Sequence, residues 1–99
     1  MIKHIVLFKF RDDLPDTEKS KKMQSIKTDL ETLTGKVGTL KRMEVGINSN
    51  PDESYDLALT SEFEDMEGLK AYANHPEHLK VSAVIREILD QRACVDYEC

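Results

Sequence analysis

Tryptophan is absent from this 99-residue sequence, and cysteine occurs only twice. No apolar run approaches the roughly 20 residues that span a bilayer. The apolar stretch at the N-terminus is too short for a signal peptide and lacks a small-residue cleavage site. Cys94 and Cys99 are five positions apart, so in a strand they would point to opposite faces and could not form a disulfide. We therefore expect a cytoplasmic protein with free thiols and no membrane contact.

Positive charge is also scarce, with 14 Lys and Arg against 19 Asp and Glu, a net charge of −5. This balance argues against a general nucleic-acid binder, which needs a broad basic surface. Hydrophobic residues make up 39% of the chain and charged residues 33%. The length predicts a single domain over residues 1–99 with a modest core, which pairing with a second copy would enlarge.

The pattern of apolar residues predicts the order β-α-β-β-α-β, the α+β ferredoxin-like arrangement with a four-stranded antiparallel sheet. The predicted strands cover residues 2–10, 40–48, 55–63 and 93–99. The first predicted helix begins at an Asp16 or Thr17 cap and stops near Gly35. The second begins at an Asp65 cap and runs through Ala73, and a third runs from Pro76 to about Gln91 after a break at Asn74-His75. The predicted inward positions are Met66, Leu69, Tyr72 and Ala73 in the second helix and Leu79, Ala83, Val84, Ile88 and Leu89 in the third.

The first predicted strand carries apolar side chains on both faces. One face holds Ile2, His4, Val6, Phe8 and Phe10, and the other holds Ile5 and Leu7 between two lysines. Helices can cover only one side of such a sheet, so the second apolar face predicts another layer packed against it.

All three histidines lie at two places, His4 in the first strand and His75 with His78 around the proline break. A histidine can exchange a proton near neutral pH, and a nearby tyrosine such as Tyr72 can hold a carbonyl or enolate oxygen. Residue spacing alone favours a structural interpretation of these histidines, in which His4 packs in the sheet and His75 shapes the helix break. Asp96, in the last strand, is either the partner that orients a histidine or a surface charge.

A metal site made of His4, His75, Glu77 and His78 is a less favoured interpretation, because His-Pro-Glu-His does not match the zinc-protease pattern. The glycines at 35 and 38 lack the spacing and context of a phosphate-binding loop, and no nucleophile motif is present. We therefore expect neither a metal nor a cofactor.

Four segments in order resemble the stress-responsive A/B barrel (Dabb) family across essentially the whole chain. They are residues 2–10, residues 55–59, the segment Leu69-Lys70-Ala71-Tyr72-Ala73-Asn74-His75-Pro76-Glu77-His78, and the closing Val95-Asp96-Tyr97. The resemblance implies a dimeric α+β barrel, in which two chains pair through their sheet faces and keep their helices outside.

The same resemblance implies roles for individual residues. A plant polyketide cyclase of this family has a catalytic histidine and tyrosine that match His78 and Tyr72, and its strand-one histidine and terminal aspartate match His4 and Asp96. By that analogy His78 is the general base, Tyr72 holds the substrate oxygen, and Asp96 supports His78 or the fold. Ile26 stands where the cyclase has a pocket tyrosine, so its polyketide substrate is not implied.

Two functions are therefore expected as alternatives. The first is a homodimer with a structural role or a role in binding a small hydrophobic or carbonyl-containing ligand. The second is an enzyme of the lyase, cyclase or isomerase type that uses His78 and Tyr72 on a carbonyl compound. The enzyme requires a pocket of a few hundred cubic ångströms that both side chains line.

Overall fold

The computed structural model describes residues 1–99 as one antiparallel sheet covered by helices on one side. In chain order the elements are β1 (Ile2–Phe10), α1 (Asp16–Thr32), a short 3-10 turn (Leu33–Gly35), β2 (Arg42–Ile47), β3 (Leu57–Phe63), α2 (Met66–Ala73), α3 (Pro76–Ile88) and β4 (Leu89–Glu98). The strand order is β2-β3-β1-β4, which places β1 in the centre beside β4 at the edge. The predicted ferredoxin-like α+β fold and four-stranded antiparallel sheet are confirmed. No helix combines the length and the apolar character needed to cross a membrane.

Several predicted boundaries are wrong by a few residues. Pro15 precedes the first residue of α1, and no side chain caps that helix, although Asp16 and Glu18 place negative charge in its first turn. The third helix ends at Ile88, and β4 begins immediately at Leu89. The chain becomes extended there because its backbone pairs with β1, whose Phe10 lies opposite Leu89.

The core lies between the helices and the inner face of the sheet, where 18 hydrophobic residues are buried. In α3 the buried residues are Val81, Ile85 and Ile88, which recur at intervals of four and three. The predicted stripe was therefore wrong for Ala83, which is exposed, and for Leu79 and Val84, which are 46% and 41% exposed. In α2, Leu69 and Tyr72 are buried as predicted, whereas Met66 and Ala73 are exposed.

The opposite face of the sheet carries exposed apolar side chains. Leu7 of β1 and Val95 and Tyr97 of β4 are 37%, 54% and 42% exposed. Val95 lies opposite Ile5 in the β1–β4 register, and Tyr97 lies opposite Lys3. The prediction of two apolar faces on β1 is confirmed, and no element of this chain covers the second one.

Candidate functional site

A cavity of about 390 Å³ opens between the inner face of the sheet and the helices α2 and α3. Nine of its fourteen lining residues are hydrophobic. Three of the predicted site residues line it: His4 from β1, Tyr72 from α2 and His78 from α3. The fourth, Asp96, is hydrogen-bonded to His4. The volume lies within the range of small-molecule sites in proteins.

His78 is positioned by the way in which α3 begins. His75 caps this helix, since its Nδ1 accepts a hydrogen bond from the Glu77 backbone N–H at 3.1 Å, and Pro76 occupies the first turn. One turn later, Nδ1 of His78 lies 2.9 Å from the carbonyl oxygen of Ala73 at the end of α2. A carbonyl oxygen only accepts, so Nδ1 carries the proton. In the neutral ring, Nε2 then has the lone pair that a general base requires.

Burial is the main cause that lowers the pKa of His78 below its usual value of 6.5. The hydrogen bond to Ala73 opposes this effect, whereas electrostatic interactions with His4, Arg92 and Arg86 lower the pKa further. His78 is therefore neutral near pH 7 and able to accept a proton.

Tyr72 is held by α2, which begins where the Asp65 side chain accepts a hydrogen bond from the Gly68 N–H at 2.8 Å. Its ring packs between Phe63 and His78, with centroid separations of 5.1 and 4.4 Å. The side chain is 2% exposed, and its hydroxyl has no hydrogen-bond partner. Burial raises the pKa of Tyr72, so the hydroxyl keeps its proton. A buried hydroxyl without a partner costs about 1–3 kcal/mol, and a ligand oxygen in the cavity would relieve that cost.

His4 and Asp96 lie directly opposite each other in β1 and β4, and His4 Nδ1 is hydrogen-bonded to Asp96 Oδ1. A carboxylate in this position fixes the tautomer and the orientation of an imidazole. Asp96 meets both descriptions given above, because it is an exposed charge on the edge strand β4 and its carboxylate is hydrogen-bonded to a histidine. That histidine is His4, and Asp96 makes no hydrogen bond to His78.

The structure does not bring together His4, His75, Glu77 and His78, the four residues considered above as metal ligands. His75 is engaged as a helix cap, and Glu77 forms ion pairs with Lys80 and Lys36. A different trio brings its donor atoms within 4.8 Å of one another: His4, Cys94 and Asp96. Cys94 Sγ lies 3.6 Å from both His4 Nδ1 and Asp96 Oδ1. A metal ion bound there would have to replace the His4–Asp96 hydrogen bond.

Two cavity residues were missed by the sequence reasoning, Arg86 of α3 and Arg92 of β4. Alternation along β4 places Arg92 on the same face as Cys94 and Asp96. The prediction missed this alternation because it started the strand at Ala93, one residue after Arg92. Arg86 comes two helical turns after His78, which is a weaker signal.

The "Stress responsive A/B Barrel Domain" family profile matches residues 2–99. The chain belongs to this family. A stress-response A/B barrel domain-containing protein of Arabidopsis thaliana is 29% identical to this Dabb protein. The aligned region covers 96% of this chain and 83% of the relative. A dimeric protein of unknown function and ferredoxin-like fold from Bacteroides fragilis is 47% identical, with a TM-score of 0.96 over 99% of this chain and 95% of that one. Hydroxynitrile lyase from Passiflora edulis shares the fold, with 17% identity and a TM-score of 0.80 over 97% and 90% of the two chains.

Proposed function

We propose that this Dabb protein binds a small carbonyl compound in its cavity and that His78 removes a proton from the carbon next to the carbonyl. The observation that carries the proposal is that Tyr72, whose buried hydroxyl has no hydrogen-bond partner, lines the same cavity as His78. In a purely structural role these side chains would pack against core residues without a cavity.

The proposed step needs only groups that line the cavity. Nε2 of His78 accepts the α-proton, and the electrons of the broken C–H bond move onto the carbonyl oxygen. The Tyr72 hydroxyl donates a hydrogen bond to the resulting enolate oxygen, and His4, oriented by Asp96, completes the polar wall. Enolate-forming cyclases and isomerases begin with this step. The hydroxynitrile lyase neighbour is an enzyme with the same fold.

The second candidate function is ligand binding without chemistry. The apolar lining favours it, because nine of fourteen lining residues are hydrophobic and provide contacts for a small hydrophobic molecule. Under this alternative the bound molecule would not exchange protons with His78.

We also propose that two copies pair through the outer faces of their sheets to form the barrel. The exposed apolar residues Leu7, Val95 and Tyr97 support this arrangement, because a second copy would remove them from water. The B. fragilis structure, 47% identical to this chain, is described as dimeric. The proposed location is the cytoplasm, which the free thiols of Cys94 and Cys99 fit.

Replacing Tyr72 with Phe should change stability and ligand affinity in opposite directions. The protein should become more stable by about 1 kcal/mol, because the substitution removes an unpartnered buried hydroxyl. Affinity for a ketone such as methyl 4-oxo-4-phenylbutanoate should fall about tenfold, because the hydrogen bond to its oxygen is lost. Denaturant unfolding and isothermal titration calorimetry measure the two effects.

The matched control is Tyr55→Phe, since Tyr55 does not line this cavity. It should leave the affinity unchanged. Equal affinity of Tyr72→Phe and the unsubstituted protein for the ketone would show that Tyr72 does not hold the carbonyl oxygen.

A further inference from the structure

The charged residues that line the cavity are all positive. Arg86 and Arg92 are among the fourteen lining residues, and no Asp or Glu is. This contrasts with the chain as a whole, whose net charge is −5. The cavity is therefore an electropositive site in an acidic protein.

Neither of these arginines has a carboxylate partner. The other two arginines of the chain do, because Arg11 pairs with Asp13 at 3.2 Å and Arg42 pairs with Glu44 at 3.4 Å. Arg86 makes one weak contact, from its Nε to the carbonyl oxygen of Ser82 at 3.4 Å. Arg92 lies beside the Cys94 thiol and makes no ion pair.

The acidic residues close in sequence to the two arginines are engaged elsewhere or point away from the cavity. Asp90 binds Lys9 at 3.2 Å, Asp96 binds His4, and Glu87 is exposed and does not line the cavity. Both guanidinium groups are thus free to bind an anion that enters from solvent.

We propose that the ligand of this cavity is a small keto carboxylate whose acid group is bound by Arg86 and Arg92. This inference rests on the proposed function and names its substrate class. A planar guanidinium group can bind a carboxylate through two parallel hydrogen bonds. Arg86 on α3 and Arg92 on β4 can therefore bind the carboxylate from two sides. The hydrocarbon body would lie against the apolar wall, and the ketone would face Tyr72 and His78.

The test compares 4-oxo-4-phenylbutanoate with its uncharged methyl ester by isothermal titration calorimetry at low ionic strength. Both compounds carry the same ketone and the same phenyl ring, so their affinity ratio isolates the carboxylate. We expect the acid to bind about tenfold more tightly than the ester. Added salt should weaken binding of the acid and leave binding of the ester unchanged.

Arg86→Gln and Arg92→Gln should each reduce the ratio of acid to ester affinity from about tenfold toward one. Both residues are exposed, so the variants should fold, which thermal unfolding verifies. The matched control is Arg11→Gln, which removes an exposed arginine that does not line the cavity and should retain the full preference.

The outcomes separate this inference from the proposed function. Equal affinity for acid and ester, or a preference that survives both cavity substitutions, would overturn the role of the arginines and leave the ketone site intact. Failure of both compounds to bind would contradict the proposed function as well.

Discussion

Replacing His78 with Asn should slow deuterium exchange at the α-carbon of a bound ketone by about 10²–10⁴-fold. In D2O, proton removal by Nε2 followed by return of a deuteron from solvent replaces the α-hydrogens without any further reactant. Proton NMR of 4-oxo-4-phenylbutanoate and its methyl ester follows the loss of the CH2 signal next to the ketone. Asn keeps a donor for the Ala73 carbonyl but cannot act as a base near neutral pH.

The pH dependence of this exchange has a defined sign. Burial lowers the pKa of His78, and electrostatic interactions with His4 from β1, Arg92 from β4 and Arg86 from α3 act in the same direction. The exchange rate should be constant near pH 7 and should fall only as the pH drops through a value below 6.5, where His78 becomes protonated.

His75→Asn is the matched control for His78→Asn. His75 serves as the cap of α3, and Asn is a favourable residue at that position, so the helix and the exchange rate should both be preserved. Exchange that is equally fast in His78→Asn and in the unsubstituted protein would refute the assignment of His78 as the base.

Replacing Val95 with Asp should convert the proposed dimer into a monomer. Val95 is 54% exposed on the outer sheet face, and in a symmetric dimer the substitution places two buried carboxylates in one interface. We expect the dissociation constant to rise by at least about 10³-fold. Sedimentation equilibrium at micromolar concentration measures the change.

Val84→Asp is the control, because Val84 is 41% exposed but lies on α3 in the helical layer. This variant should remain a dimer. A well-folded monomer of the unsubstituted protein at micromolar concentration, or a Val95→Asp variant that stays dimeric, would show that the outer sheet face is not the interface.

The fold could be predicted from the sequence because its strongest local signals agree with the tertiary structure. Alternation in β1, the Asp65 cap of α2 and the Asn74-His75-Pro76 break each specify a boundary through local chemistry. The start of β4 could not be predicted, because pairing with β1 determines it. Which face of α3 is buried depends on how this helix packs against its neighbours, so Val81 and Ile85 were missed.

The candidate site was predictable only in part for a similar reason. His4, Tyr72 and His78 were singled out by residue type and by resemblance to the Dabb family, and the structure brings all three to one cavity. The unpartnered state of Tyr72 and the free guanidinium groups of Arg86 and Arg92 depend on which neighbours the fold supplies. Residue spacing carries no information about such missing partners.

A crystal structure of the protein with 4-oxo-4-phenylbutanoate bound would show whether the cavity holds a ketone between Tyr72 and His78. We expect density for the ketone in the cavity, with its oxygen within hydrogen-bond distance of the Tyr72 hydroxyl. The α-carbon should lie about 3–3.5 Å from Nε2 of His78, the distance needed for proton transfer. A ketone bound outside this cavity, or bound inside it with its oxygen turned away from Tyr72 and its α-carbon out of reach of His78, would contradict the account.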